Sequence, residues 1–309
     1  MTDGLKASDF VIEGPDREQG ETAFAARPVT YARDAWNRFV RNKIAVCAAV
    51  LLLLIGLMVI FGPMISDYPV TESTNALALN QRPSAEHWFG TDTMGRDLFT
   101  RVCVGGRASL IIGLSGALIV IVLGSLYGGF AALLGGRADM VMMRLVDILS
   151  SVPNLLLILL ISVVLDSKGI GTMIFAMTAA GWCPTARLVR GQMLQLSRMD
   201  YVLAARLMDI PPLQIVLRHL IPNTMGILIV DATFRIPGFM FSEAFLSYVG
   251  LGVQPPQTSW GALAAGAQSM FQFYPWQLLF PAGMIALTML AFTLLGDGLR
   301  DALDPKLRR

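Results

Sequence analysis

Long runs of residues without one charged side chain recur along this 309-residue sequence. They cover residues 44–65, 109–134, 149–165, 170–182, a block that follows Asn223, and 278–295. Because a helix needs roughly 20 mostly apolar residues to cross a bilayer, most of these runs are long enough, and 170–182 is marginal. The alternative is a large soluble core with buried helices. It fits poorly, because only 15% of the residues are charged and uncharged runs this long indicate surrounding lipid. We therefore predict an all-α polytopic membrane protein with six transmembrane helices.

Basic residues are concentrated in alternate connections between these predicted spans. With six spans, those connections all lie on one side of the membrane, and the positive-inside rule assigns that side to the cytoplasm. The first connection on the other side also contains arginines, but acidic residues lie among them and long loops count less in this rule. Both termini are therefore expected in the cytoplasm. The basic residues concerned are Arg33, Arg38, Arg41, Lys43, Arg137, Arg144, Arg187, Arg190, Arg198, Arg206, Arg218, Arg300, Lys306, Arg308 and Arg309.

The predicted organisation follows from these spans. Residues 1–43 form a cytoplasmic tail, flexible up to about residue 28, that ends in a basic amphipathic lead-in with Trp36 and Phe39 at the membrane interface. Residues 44–65 form the first transmembrane helix, 66–104 an extracytoplasmic loop, 105–297 the main transmembrane domain and 298–309 a cytoplasmic tail. The polar tail is too long for a signal peptide, and no cleavage pattern follows the first span.

Motifs typical of enzymes are missing from the sequence. It contains no G-x-x-x-x-G-K-[ST] phosphate loop and no G-x-S-x-G, and its two histidines, His87 and His219, do not form H-E-x-x-H. Cys47, Cys103 and Cys183 contain no C-x-x-C pair and are expected to be small packing residues. We therefore expect a protein that is not an enzyme, holds no cofactor or metal, contacts membrane lipid and binds no nucleic acid.

The fifth predicted span carries charge at membrane depth. Asp231 and Arg235 are spaced i,i+4 and can meet on one helix face, and Glu243 lies further along the same helix. A charge at the centre of a span costs about 2.5–3.5 kcal/mol on insertion scales, and such residues usually face the bundle interior or a water-filled cavity. We interpret Asp231, Arg235 and Glu243 as lining a translocation pathway. A structural ion pair, with Glu243 near the outer interface, is the alternative.

Small residues in the second span predict close helix packing. Gly124 and Gly128 form a G-x-x-x-G pair, and Ser109 and Gly113 form a second pair of small residues with the same spacing. Such pairs let helix backbones approach closely in lipid. They favour a compact bundle over separated helices.

Residues 199–223 are too charged to cross a bilayer and too apolar for a plain surface loop. On a helix, Met199, Leu203 and Leu207 share one side, and an opposite side holds Tyr201, Ala204, Ala205 and Met208. A helix that is apolar on two sides is expected to be covered on both, by its own spans and by a cytoplasmic partner. An interfacial helix among lipid headgroups is the alternative. Pro211 and Pro212 are expected to end this helix and start a second short one, which Pro222 ends.

Within this loop, LAARLMD followed ten residues later by HLIP resembles the EAA loop of bacterial ABC importer permeases. That loop reads E-A-A, three residues, G, nine residues and I-x-L-P. Ala204, Ala205 and Pro222 match it, whereas Leu203 replaces the glutamate and Asp209 replaces the glycine. Because Asp enters left-handed backbone geometry more easily than most residues, we expect the turn at Asp209 to survive.

Longer segments resemble the dipeptide and oligopeptide permeases, with the second, C-type membrane subunit of oligopeptide importers as the nearest group. The resemblance extends from about Arg33 to the end of the chain. Its segments are FGTDTMGRDLFTRVCVGGRASLIIG, MMRLVDILSSVP, RLVRGQ, SEAFLSYVGLGVQPPQTSWGALA and GDGLRDALDPKLRR.

The resemblance implies a type I ABC importer permease fold, with residues 105–297 as the ABC transmembrane domain and the EAA loop at about 198–222. It implies a subunit of an ATP-driven oligopeptide or dipeptide importer in the bacterial inner membrane. The partners would be a homologous second permease, two cytoplasmic ATPases that bind ATP and magnesium, and an extracytoplasmic peptide-binding protein. Nickel chelates are an alternative substrate, and a stand-alone secondary transporter, a scaffold or a membrane-embedded enzyme are further alternatives.

The resemblance also suggests which residues meet those partners. Bulk at Ala205 is expected to uncouple ATP hydrolysis from transport while membrane insertion is retained. Packing at the membrane surface is the alternative role for the residues assigned to the binding protein. The expected ATPase contacts are Tyr201, Leu203, Ala204, Ala205, Arg206, Asp209 and Pro222, and the expected binding-protein contacts are Asp92, Arg96, Asp97, Gln254 and Trp260.

Overall fold

The computed structural model describes residues 31–70, 78–165 and 169–303, and in these ranges it contains helices and no β-strand. The expected tail at 1–28 lies outside the described residues. The helices are α1 (Tyr31–Arg41), α2 (Lys43–Ile65), α3 (Leu98–Leu134), α4 (Gly136–Ser151), α5 (Asn154–Val164), α6 (Ile170–Gly181), α7 (Cys183–Leu196), α8 (Asp200–Leu207), α9 (Pro212–Ile215), α10 (Ile221–Tyr248), α11 (Trp260–Ala267) and α12 (Pro275–Leu303). A π-helical turn, Val216–Leu220, joins α9 to α10.

The predicted all-α membrane architecture is confirmed, although the spans are less uniform than the sequence indicates. Among the described residues, α2, α3, the run Leu213–Tyr248 and α12 are each long and apolar enough to cross a bilayer. Helices α4 and α5 qualify as a fifth span only together, and they are bent by 80°. The bend follows from Pro153, because Val152 before it takes extended geometry, with φ −82° and ψ 127°.

The fourth predicted span, at 170–182, is a short helix that continues into a more polar one. Helix α6 has 12 residues, fewer than a span requires. Trp182, between α6 and α7, has the helical angles φ −77° and ψ −18°, so the helical backbone runs on from Ile170 to Leu196. The count of six spans therefore stays a prediction at this position.

Small residues bring α3 against two neighbours, as predicted. A Cβ atom added to Gly124 would lie 2.6 Å from Cβ of Thr185 in α7, and one added to Gly128 would overlap the Ala186 carbonyl. One added to Gly113 would meet Met240 of α10 at 3.1 Å. Helix α3 thus packs closely against both α7 and α10, at different heights along its length.

The bundle has two ends that carry different features. At one end, Ser66 Oγ lies 2.5 Å from Thr100 Oγ1, and the rings of Phe89 and Phe280 stack at 3.9 Å. At the other end, Ala45 packs with Phe39 of α1 and with Ala302. We call the first the loop end and the second the elbow end, where residues 198–222, the elbow, also pack. Phe39 is therefore inside the protein, whereas Trp36 is 64% exposed.

Candidate functional site

The elbow begins with α8, and a cap at Asp209 ends this helix. Asp209 has φ 52°, in the left-handed region, and the Ile210 N–H donates to the Ala205 carbonyl at 3.3 Å. This is the hydrogen bond of a Schellman cap, for which glycine is the usual residue. The expectation that Asp209 supports the turn is confirmed.

The inner face of α8 packs on the protein itself. Val202 has no exposed surface and Ala205 is 2% exposed, and both join a cluster with Met193 of α7 and Val216 of the π-helical turn. The chain covers one side of this helix, as predicted, but that side holds Val202 and Ala205. Most side chains of both predicted apolar sides, including Leu203 and Tyr201, are exposed. Ala205 does not lie on the expected ATPase contact surface, because its side chain is packed inside the elbow. A bulky residue there would disrupt the elbow before it disturbed any partner. Val202 was not among the predicted residues, although its i,i+3 spacing from Ala205 indicates this buried face.

The outer face of α8 is apolar and open. Leu203 is 46% exposed, Leu207 87%, Met208 68% and Tyr201 41%. Ala204 and Asp209 are exposed beside them, whereas the Arg206 side chain lies outside the described residues. Several large apolar side chains presented together usually mark an interaction surface.

The elbow continues directly into a membrane span. The Ile221 N–H donates to the Val216 carbonyl in the π-helical turn, and Leu213–Tyr248 is one run of 36 residues. The prediction that Pro222 ends a short helix is wrong. Pro222 lies in the first turn of α10, where a missing N–H costs little, and the wider π-helical turn precedes it. The second half of the elbow, from Leu213 onward, therefore forms one helical run with α10, and α8 is joined to this run through the turn at Asp209.

Helix α10 carries the predicted ion pair. Arg235 Nε donates to Asp231 Oδ2 at 2.7 Å, and Thr185 Oγ1 of α7 donates to the same oxygen at 2.8 Å. Arg235 Nη1 also reaches the Gly181 carbonyl at 3.4 Å. Both charged side chains are about one-fifth exposed, at 19% and 18%. The pair is thus held at the junction of α6 and α7.

Arg235 lines a cavity of about 460 Å³. This volume is within the roughly 300–1,000 Å³ range of small-molecule pockets. The cavity lies where the α4–α5 bend, the α6–α7 junction and α10 meet. Its lining is largely apolar, with four polar residues, Ser150, Asn154, Arg235 and Ser242. In the described ranges, no group of three or more His, Cys, Asp or Glu residues is placed to hold a metal ion.

Glu243 is placed apart from this cavity. It has no exposed surface, and its oxygens accept hydrogen bonds from Ser109 at 3.1 Å, Ser247 at 2.9 Å and Ser259 at 2.5 Å. These partners come from α3, from α10 and from the residue that caps α11. The carboxylate therefore joins three elements. It does not line the cavity, so the predicted pathway role of Glu243 does not fit its position.

At the loop end, two predicted contact residues stabilise local structure. Asp92 is 7% exposed and pairs with Arg96 at 2.8 Å and with Arg101. Asp97 is 2% exposed, caps α3 through the Thr100 N–H at 2.8 Å, and lies 3.0 Å from Nδ1 of His87.

Trp260 also does not fit its predicted role as a binding-protein contact. It has no exposed surface, and its indole N–H donates to the Val102 carbonyl at 2.7 Å. Such a residue offers no side-chain surface to a binding protein. Of the five expected contacts, Gln254 is exposed and Arg96 is partly exposed.

Together, the helical bundle and an elbow continuous with a span define the fold of a type I ABC importer permease. A chain of the inward-facing MetNI methionine ABC transporter has this fold, with a TM-score of 0.53 and 19% identity over 65% of this chain and 94% of that chain. Residues 120–309 match the family model described as "binding-protein-dependent transport system inner membrane component". Residues 30–83 match the N-terminal TM domain of oligopeptide transport permease C. The chain belongs to this family of inner membrane transport components and is an ABC importer permease.

Curated relatives extend along most of the chain. It is 47% identical over 277 residues to the oligopeptide transport system permease protein OppC of Bacillus subtilis, covering 90% of each chain. It is 45% identical over 302 residues to the dipeptide transport system permease protein DppC of the same species, covering 97% of this chain and 93% of that protein. OppC of Escherichia coli K12 is 42% identical, covering 89% and 91%. The family implies a multi-pass inner membrane protein that works with an ATPase, a substrate-binding protein and a second permease.

Proposed function

We propose that this chain imports oligopeptides or dipeptides as one of two permease subunits of an ATP-driven transporter. The OppC and DppC relatives, permeases for oligopeptides and dipeptides, support the substrate class. The observation that carries the coupling is the open apolar face of α8 on an elbow whose second half continues into α10. This face is suited to a protein partner because burying it removes apolar surface from water.

In this proposal, two cytoplasmic ATPases hold ATP and magnesium, and one of them seats on the outer face of α8. The elbow end and both termini are then cytoplasmic. A homologous permease completes the pathway, and an extracytoplasmic peptide-binding protein meets the loop end through Arg96 and Gln254. Because the run Leu213–Tyr248 is one helical element, movement of the elbow displaces Asp231 and Arg235 as a rigid body.

The docking role is tested by placing charge on the outer face of α8. We expect Leu207→Glu and Leu203→Glu to lower ATPase co-purification and ATP-dependent peptide uptake roughly tenfold or more, as for a central interface residue. Asn37→Glu, at an exposed polar position on α1, is the matched control and should leave both unchanged. All three chains should reach the membrane in equal amounts. Wild-type uptake in both leucine variants would refute the docking surface.

The substrate class is tested with the complete transporter in liposomes. We expect ATP-dependent uptake of labelled di- to pentapeptides when the cognate binding protein is present. Uptake of a nickel chelate with no uptake of peptides would assign the second substrate class instead. Uptake by this chain alone, driven by a proton or sodium gradient, would contradict an ATP-driven importer.

A further inference from the structure

The cavity beside Arg235 lies at the break between α4 and α5 and at the α6–α7 junction, where the helical backbone continues. Val152 and Pro153 separate α4 from α5, Gly181 ends α6, Pro184 lies in the first turn of α7, and all four residues line the cavity. Discontinuous helices with an ionisable residue at membrane depth are typical of substrate sites in transporters. The cavity is therefore a candidate site for substrate recognition during transport.

The guanidinium of Arg235 is fixed on one side and free on the other. Asp231 accepts from Nε, and Nη1 lies at the long distance of 3.4 Å from the Gly181 carbonyl. Nη2 has no hydrogen-bond partner within residues 31–70, 78–165 and 169–303. Asp231 is itself held by Thr185. The Nη1–Nη2 edge is thus held in place by Asp231 and carries only the one long hydrogen bond, from Nη1 to Gly181.

That edge matches a carboxylate. Arginine binds carboxylates through two parallel N–H···O hydrogen bonds, which lysine cannot reproduce with its single ammonium group. Unmodified peptides share an α-carboxylate whatever their side chains. The apolar lining, including Met177 and Phe239, accepts varied side chains without selecting one.

We propose that Arg235 binds the C-terminal carboxylate of a peptide in this cavity during its passage through the transporter. The inference rests on the proposed peptide-import function and adds a recognition group to it. Because Asp231 already neutralises Arg235, the pair holds the carboxylate weakly enough for release, as conduction through a pathway requires. The side chains of Ser150, Asn154 and Ser242 are available for hydrogen bonds to the peptide backbone.

The test compares a labelled tripeptide with its C-terminal amide in liposomes that contain the whole transporter and one binding protein. The measured quantity is the ratio of acid to amide uptake, each at a saturating concentration of loaded binding protein. Since the binding protein is the same throughout, a change in this ratio between variants reports on the permease. We expect the wild-type ratio to be about tenfold and the Asp231→Asn/Arg235→Met ratio to fall to about one, with amide uptake retained. The double variant removes both charges of the pair, so neither is left without its partner.

Two further variants separate recognition from structure. Arg235→Lys should give an intermediate ratio, because it keeps the charge and loses the fork. Arg187→Met removes an arginine of α7 that pairs with Asp147 outside the cavity, and it should leave the ratio unchanged. If the Arg235 variants lower acid and amide uptake equally, or leave the wild-type ratio intact, the carboxylate subsite is refuted. If the double variant fails to assemble, the Arg235→Lys ratio decides. Failure of the wild-type transporter to import any peptide would refute the proposed function instead.

Discussion

Glu243 shows how one buried carboxylate can organise the loop end of the bundle. Its three serine partners lie on separate elements, and Ser259 also accepts from the Ala262 N–H at 3.0 Å to cap α11. Burial of a polar group costs about 2–7 kcal/mol unless hydrogen bonds replace its water. The serines supply those hydrogen bonds, so carboxylate and hydroxyls depend on one another.

At this position we predict a large effect on stability. Glu243→Ala leaves three buried hydroxyls without their acceptor and opens a cavity, so the free energy of unfolding should fall by about 2–5 kcal/mol. Glu243→Gln retains one acceptor oxygen and should lose less. Thermal unfolding of the purified chain in detergent measures both, with Asp297→Asn, an exposed acid on α12, as the control. Equal unfolding temperatures for Glu243→Ala and the wild type would show that the serine cluster does not depend on this carboxylate.

The sequence predicted some individual residues better than others. Asp209 was predictable, because the resemblance to the EAA loop places a glycine there and Asp tolerates the left-handed backbone better than most residues. The i,i+4 contact of Asp231 with Arg235 was also local. Trp260 and Glu243 were not predictable in this way, because their burial depends on Val102 and Ser109, more than 100 positions earlier in the chain. Trp260 was expected at the binding-protein contact and Glu243 on the translocation pathway, whereas both are fully buried.

At the level of the helix, α3 and α7 depend on glycine where their backbones meet. A Cβ at Gly128 would overlap the Ala186 carbonyl and approach the Arg190 backbone nitrogen to 3.0 Å. Neither is the end of a flexible side chain, so the helices would have to separate. The small-residue pattern therefore reflects a close backbone contact rather than a general tolerance of glycine in spans.

We predict opposite effects for two glycine-to-alanine substitutions. Gly128→Ala should destabilise the chain by about 1–3 kcal/mol through overpacking. Gly191→Ala, on α7 with open space around the added Cβ, should be neutral or stabilise by about 0.5–1 kcal/mol. Unfolding temperatures of the two variants, measured side by side, check the difference. A Gly128→Ala variant at least as stable as Gly191→Ala would show that the α3–α7 contact is looser than described.

Helix breaks were the least predictable feature at this scale. The uncharged run 149–165 predicted one span, whereas Pro153 divides it, because the run was selected for its apolar character and not for backbone geometry. At Pro222 a helix end was predicted where a helix begins, because proline is tolerated in a first helical turn. Hydropathy locates apolar segments, but tertiary packing decides whether each proline bends, ends or starts a helix.

For the whole molecule, α1, the elbow and the end of α12 lie at the same end of the bundle, as the sequence predicted. The cavity was not predictable, because it forms only where the α4–α5 bend, the α6–α7 junction and α10 meet. The orientation of the bundle in the membrane was predicted from basic residues alone, and the docking proposal depends on it. A cytoplasmic ATPase can reach α8 only if the elbow end faces the cytoplasm.

Single-cysteine labelling tests that orientation. Cys103 and Cys183 are buried and Cys47 is exposed, so a Cys47→Ala background leaves no exposed thiol among the described residues. Met94→Cys reports on the loop end, where Met94 is 59% exposed, and Leu207→Cys on the elbow, where Leu207 is 87% exposed. In intact spheroplasts, a membrane-impermeant maleimide should label Met94→Cys and spare Leu207→Cys, which should react only after lysis. In lysed membranes that retain the ATPases, labelling of Leu207→Cys should be slower than in membranes stripped of them, because a docked partner covers the outer face of α8. Labelling of Leu207→Cys in intact spheroplasts would place the elbow outside the cell, where ATP-driven coupling through α10 is impossible.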